Sequence, residues 1–326
     1  MDGRKEDRLR DLRRQAEAGR VDADGIRPAG SPLPVQSGET GGGYYGLPLL
    51  KAPVWTWEVP AYFFVGGAAG AAAVVGATAR WSGADSRLVR DARWIAAAGA
   101  ALSPPLLISD LGRPERFLNM LRVFKLQSPM SVGVWTLVAF SQAACAAAFA
   151  DFVDRKTRGR IPVRIVGDAA EVLSAATGLT LSTYTGVLLG ATAVPAWSRN
   201  AHLLPAHFGA SSVGAAVSLL ELMGHRPRAL HRLALGAAAV ETVLGVMLER
   251  TGTGQSVRDS GESTRLTRAG GILTGPVPLA LRLLASRSRA ARNLAAVSAI
   301  AGSVLNRIGW LHTGHASSRQ PVSING

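Results

Sequence analysis

The chain has 326 residues, 48% of them hydrophobic, and 36 Lys and Arg against 22 Asp and Glu give it a net charge of +14. The arginines sit in short loops between apolar blocks, where membrane proteins keep them, and no basic stripe with interleaved aromatics is present, which argues against nucleic-acid binding. The single cysteine, Cys145, lies inside an apolar block; one thiol can neither form an internal disulfide nor hold an iron–sulfur cluster, and it reads as a small buried residue.

Residues 1–52 form a polar N-terminal tail. Residues 4–20 are dense in mixed charge and fit a short solvated helix, while 25–43 are rich in Gly, Pro and Ser and are expected to be loose. No apolar core follows the first charges or Arg13–Arg14, so neither a secretory nor a twin-arginine signal is read.

Residues 53–311 carry apolar blocks long enough to cross a bilayer, for which about 20 residues at 1.5 Å rise suffice. Eight spans are expected, at about 60–79, 94–109, 132–150, 172–194, 202–223, 229–248, 270–285 and 294–310. The fifth is the more polar, and the seventh is the weakest because it holds Pro276, Pro278 and Arg282. Residues 312–326 would be a short C-terminal tail. The fold class is therefore an all-α integral membrane bundle, with mostly antiparallel neighbours because the loops are short. Gly66 with Gly70, and Ala72 with Gly76, are spaced four apart; that spacing permits close backbone approach, and an alanine-rich helix shows it without any special contact too. Lys and Arg counts in the short loops modestly favour an outside N-terminus, and counting the whole basic tail reverses the balance.

Alternate loops of such a bundle share a face. "LPLLKAPVWTWEVPAYFF", the stretch from Asp110 to Met130 and "PAWSRNAHLLP" then lie on the N-terminal side, which gathers Glu58, three tryptophans, His202 and the cluster "SDLGRPERF" at one interface. The opposite loops read as basic and otherwise plain. Asp110 ends the second span, and Gly112 and Pro114 turn the chain. Arg113 and Arg116 have Asp110, Glu115 or lipid phosphate as possible partners. The cluster is either a solvated, salt-bridged loop or a polar pocket where a buried carboxylate exchanges a proton. Glu58 is either an interfacial acid reaching for water or a desolvated proton carrier beside Trp57. Tyr62 is one turn deeper on the same face. Tyr184 is buried in the fourth span and needs a hydroxyl partner, a neighbouring helix or a ligand carbonyl. Glu171, Glu221 and Glu241 lie in or near later spans, with Glu241 placed for proton movement and Glu221 nearer the opposite interface.

The histidines do not make a haem site. His202 and His207 are on one helix and cannot ligate one iron from opposite sides; His225 and His231 belong to a loop region and His312 and His315 to the tail. No metal-ligand spacing, phosphate loop or nucleophile motif is present.

Three stretches, "WTWEVPAYFFVGGAAGA", "LLISDLGRPERFLNMLRVFKLQSPMSVGVW" and "YTGVLLGATAVPAWSRNAHLLP", together resemble the NrfD family, the polysulfide reductase membrane-subunit type. "AGSVLNRIGWLHTGHAS", with Gly302 and Arg307, is similar to that family's C-terminal end. The resemblance implies an eight-helix subunit of the cell (inner) membrane that anchors a ferredoxin-like iron–sulfur protein, usually with a molybdopterin (Mo or W) oxidoreductase. It implies exchange of electrons and protons with menaquinone or ubiquinone as a diffusible substrate, as in anaerobic respiration. No haem, iron–sulfur cluster or metal is expected in the chain itself. It also implies a quinone pocket near the partner side, for which the matching positions are Glu58 and Asp110 as proton carriers and Tyr62, Tyr184, Arg113 and Trp57 around the quinone. Family members vary at the position of Glu58. Two rival readings are a purely structural anchor, which lacks quinone sensitivity, and a small-solute or proton transporter, which often shows internal repeats; no convincing repeat is present.

Overall fold

A computed structural model describes residues 21–22, 25–26, 53–253, 261–284 and 288–318. The solvated helix expected at 4–20 lies outside the described residues. The chain divides into two units, Met1–Leu47 with Pro321–Gly326, and Pro48–Gln320. In the first, Val21–Asp22 (β1) pairs antiparallel with Gly25–Ile26 (β2).

The second unit is a helical bundle. Its long helices are α1 (Glu58–Trp81), α2 (Ser86–Asp110), α4 (Pro129–Thr157), α5 (Arg164–Gly190), α7 (Leu204–Leu222), α8 (Arg228–Leu248) and α11 (Arg289–Ser318). Between them lie the short α3 (Glu115–Leu121) and α6 (Pro195–Ser198), a π turn at Glu249–Thr253, and α9 (Gly261–Thr274) followed directly by α10 (Pro276–Leu284). Each expected span overlaps one of these helices, the seventh two; residues 191–194 of the fourth and 202–203 and 223 of the fifth lie outside them, and residue 285 lies outside the described residues. The seventh breaks at Gly275, because Pro276 and Pro278 cannot donate into a continuing ladder and instead open α10. Among the described residues five helices are long and apolar enough to cross a membrane, α1, α4, α5, α8 and α11, and a sixth is added if α2 and α3 count as one span bent by 111°.

The helices outrun their apolar blocks. The last continues through His312 and His315 to Ser318, past the boundary expected at 311. At the sharp bend after Asp110, Gly112 takes φ +71°, a left-handed backbone that side chains disfavour. Inside α2, Pro104 and Pro105 do not break the helix. Pro104 deprives the Ala100 carbonyl of its donor one turn back, and the Ser141 hydroxyl on α4 donates to that carbonyl at 3.0 Å.

Packing joins α1, α2, α4 and α5 in the N-terminal half, and α7, α8, α9, α10 and α11 in the C-terminal half, with α1, α5, α7 and α11 forming the seam. The small-residue spacing in α1 does bring backbones together: a Cβ on Gly70 would land on the Gly178 carbonyl of α5, and one on Gly178 would land 2.7 Å from the Gly70 carbonyl oxygen. Cys145, expected to be buried, is exposed, with its Sγ 3.9 Å from the Ala97 carbonyl of α2; in a membrane bundle an apolar block also has to cover the lipid side, so apolar neighbours in sequence do not imply burial.

Candidate functional site

The entry to α1 is held by tryptophans. Trp55 stacks on Trp197 with ring centres 5.4 Å apart, and the Trp197 indole N–H donates to the Trp310 carbonyl at 2.8 Å. Gly314 on α11 leaves the space that the Trp197 ring fills. This brings Thr56 over the C-terminal end of α2. There the Thr56 hydroxyl donates to Asp110 Oδ1 at 2.9 Å and its backbone N–H lies 3.3 Å from the same oxygen. The same hydroxyl contacts Glu58 Oε2. A hydroxyl has one proton and two lone pairs, so it donates to one carboxyl and accepts from the other when that one is protonated. Glu58 and Asp110, 52 positions apart in sequence by number, thus share one hydroxyl, and both are half-buried.

Tyr62 lies below them on α1, buried and with its ring packed beside Phe63. Tyr184 on α5 is buried too, and its hydroxyl donates to the Pro129 carbonyl at the start of α4. Gly133 makes room for that ring. Its proton is therefore committed to a neighbouring helix, and the hydroxyl meets any further partner through its lone pairs. Trp57 is 64% exposed, and Arg113 and Arg116 are exposed with no ion pair among the described residues. The structure brings together Glu58, Asp110 and, one layer deeper, the two tyrosines; Arg113 and Trp57 stand at the rim.

A second polar cluster is buried in the C-terminal half. His207 (α7) and Glu241 (α8) place Nδ1 and Oε1 3.2 Å apart, at an angle outside hydrogen-bond range. The Thr274 hydroxyl at the end of α9 donates to Glu241 Oε2 at 2.9 Å, and the Asn306 amide on α11 donates to Thr274 at 3.2 Å. Arg307, fully buried, sits among hydroxyls, donating to Ser303, Ser211 and Ser212 at 2.6, 3.0 and 2.8 Å, with Phe208 under its guanidinium at 5.1 Å. His207, Glu241, Asn306 and Trp310 line a cavity of ≈ 200 Å³.

The opposite end is not plain. Arg93 bridges Asp151 at 3.1 Å and Glu171 at 2.8 Å, while Arg80 pairs with Asp168 at 2.5 Å and with Glu171. His225 meets Asp91 at 2.8 Å, and Arg282 grips Glu221 through two bonds of 2.7 and 2.6 Å. Bidentate pairs of this kind fix geometry as well as neutralising charge. They tie α1, α2, α4 and α5 to one another and α7 to α10.

A family model described as polysulfide reductase matches residues 41–319, most of the chain. The chain belongs to the NrfD-type polysulfide reductase family. No relative among curated proteins matches it. As an NrfD-type protein with several long apolar helices it is a multi-pass membrane protein, and by family it is a membrane subunit that partners a redox enzyme complex.

In this NrfD-type chain the sequence missed Thr56, because a lone threonine between tryptophans carries no motif; only the contact between α1's entry and α2's end gives it a role. It also missed the pairing of His207 with Glu241. Histidine spacing tests His207 only as a metal ligand, whereas its neighbour is a carboxylate on the next helix. The signal available was the run of polar positions His207, Ser211, Ser218 and Glu221 along one face of α7, all of them buried, at helical spacing in a span otherwise apolar. Among the described residues no group of three or more His, Cys, Asp or Glu side chains is arranged to hold a metal.

Proposed function

We propose that this chain is the membrane anchor and quinone-reacting subunit of a respiratory redox complex, passing electrons between a membrane quinone and a ferredoxin-like iron–sulfur partner bound to a molybdopterin enzyme. The observation that carries this reading is the Glu58–Thr56–Asp110 bridge at one end of the bundle. Quinone reduction takes up two electrons and two protons and quinol oxidation releases them. A membrane subunit that serves it needs a protonatable group at a bundle end and a hydrogen-bonded way out, and intramembrane acids elsewhere are expensive enough to be rare. Glu58 and Asp110 would carry the protons, with Thr56 relaying between them. Tyr62 and Tyr184 would wall the ring, Tyr184 by accepting with its oxygen. Arg113 and Trp57, at the rim, would meet the partner subunit or lipid headgroups. The electrons would come from or go to the partner's cluster, with the inner membrane as the setting.

The test is Asp110→Asn in the assembled complex. Loss of an acid–base group costs about 10²–10⁴-fold in rate, so quinone-linked turnover is expected to fall by at least about a hundredfold while the partner subunits still co-purify. Normal turnover rules out the role of Asp110. Turnover insensitive to quinone analogues in the unaltered complex would instead favour a purely structural anchor.

A further inference from the structure

The cavity beside His207 and Glu241 belongs to the C-terminal half of the bundle and shares no residue with the Glu58–Asp110 mouth. We propose that it is a second, lipid-facing binding site that takes the ring of a neutral hydroquinone.

Three observations set the ligand's chemistry. The first is size. A buried cavity of about 150 Å³ accepts a benzene ring, so ≈ 200 Å³ accepts one substituted six-membered ring. The walls suit it: Trp310, Ile272, Val246 and the bare backbones of Gly245 and Gly271. A Cβ built on either glycine meets nothing within 4 Å, so the groove between α8 and α9 is open where these two residues stand. Glycine is the poorest ordinary helix former, and here it leaves room beside the exposed Val246 and Ile272, which are 46% and 52% accessible. In a membrane bundle that opening faces lipid.

The second is the polar floor. His207 is 2% exposed and Glu241 1%. Nδ1 of His207 and Oε1 of Glu241 lie 3.2 Å apart, and neither atom has a hydrogen-bond partner among the described residues. A carboxylate oxygen accepts, and an imidazole nitrogen donates or accepts according to its tautomer. Buried polar atoms are normally paired, and a ligand hydroxyl that donates to Glu241 Oε1 and accepts from His207 Nδ1 supplies the missing bonds. Thr274, itself held by Asn306, donates to the other Glu241 oxygen, so the acceptor is fixed before a ligand arrives.

The third is depth. Glu241 lies eight positions before Glu249, where α8 has ended, so the floor is about 12 Å below that end at 1.5 Å per residue. A phospholipid keeps its phosphate at the interface, and Arg268, an exposed cation in the cavity wall, is already paired with Glu249 at 3.4 Å. A neutral hydroxyl on a flat ring with an apolar tail reaches that depth and leaves its tail among lipid. Together these select a hydroquinone over a phospholipid headgroup. The site does not depend on the reading of the Glu58–Asp110 mouth.

The experiment uses the full chain in nanodiscs, with a diazirine-bearing short-chain 1,4-naphthohydroquinone kept reduced under anaerobic conditions. After irradiation, labelled peptides are mapped by mass spectrometry. Label is expected in residues 242–249 and 264–276, competed by unlabelled naphthohydroquinone and not by phosphatidylglycerol. Gly245→Leu and Gly271→Leu, which fill the groove, are expected to reduce it at least tenfold at unchanged gel-filtration behaviour. Should either variant fail to fold, the competition in the unaltered chain decides. No label there, label that phosphatidylglycerol displaces equally, or label unchanged in folded groove-filling variants overturns the site. Label confined to residues 54–64 overturns it too while leaving the mouth as a quinone site, so the two readings fail separately.

Discussion

Glu221 and Glu241 are both buried glutamates of the C-terminal half, and the bundle treats them in opposite ways. Glu221, at the end of α7, is closed off: both its oxygens are held by the buried guanidinium of Arg282 on α10. Glu241, in the body of α8, has one oxygen held by Thr274 and the other turned to an imidazole at a poor angle, beside a cavity. A satisfied buried pair joins two helices and offers nothing to a ligand. An incompletely satisfied one, next to space, holds chemistry in reserve. The difference separates a structural clasp from a site, and sequence alone separates the two acids only by their depth in the spans.

Removing one partner of a buried pair leaves an uncompensated charge, which typically costs about 3–5 kcal/mol. Arg282→Leu is therefore expected to give the largest loss of stability, read as the midpoint of unfolding in SDS mixed micelles. Adding Glu221→Leu to it is expected to recover most of that loss, since replacing both partners by apolar groups is often neutral. A double variant as unstable as the single one breaks the distinction from the Glu221 side. Gly70→Val probes the close contact between α1 and α5 within the N-terminal half. It forces a side chain onto the Gly178 carbonyl, and overpacking of this kind costs about 1–3 kcal/mol. Thr274→Val removes the donor to Glu241 and is expected to cost about 1–3 kcal/mol, the range for stranding a buried polar group; a cost near that of Arg282→Leu would mean that Glu241 is clasped as firmly as Glu221. Arg113→Ala, at an exposed residue without an ion pair, is expected to stay within about 0.5 kcal/mol, so any larger effect of Arg113 belongs to partner docking or turnover.

The bundle was legible where physics acts locally. Apolar blocks mark the hydrocarbon, so each expected span overlaps a helix, and Gly112 and the prolines after Gly275 mark where helices stop. The ends were not legible, because they run past the apolar blocks into charged residues. Arg80 and Arg93 read as loop charge, yet they sit on helices and pair with Asp151 and Glu171 on two neighbouring helices. The short helix Glu115–Leu121 has no apolar run to reveal it. Helix α7 does not stand among the helices apolar enough to cross alone; its polar face is buried against α8 and α11, which hydropathy does not record.

The candidate sites divide the same way. Glu58 and Asp110 could be assigned to one end because alternate loops of an antiparallel bundle share a face. That they meet through Thr56 depends on the Trp55–Trp197 stack, a contact between distant segments. Tyr184's need for a partner was evident from its burial, and the Pro129 carbonyl that meets it was not. His207 and Glu241 lie on consecutive helices, and their adjacency follows from how α7 and α8 turn about their axes.

The measurement that bears most directly on the central claim is purification of the tagged chain from gently solubilised native membranes, with mass spectrometry and metal analysis of what accompanies it. The account predicts stoichiometric subunits carrying iron–sulfur clusters and molybdenum or tungsten, with quinone-linked turnover in the isolated complex. A chain that emerges alone and without iron would contradict it and bring the transporter reading forward.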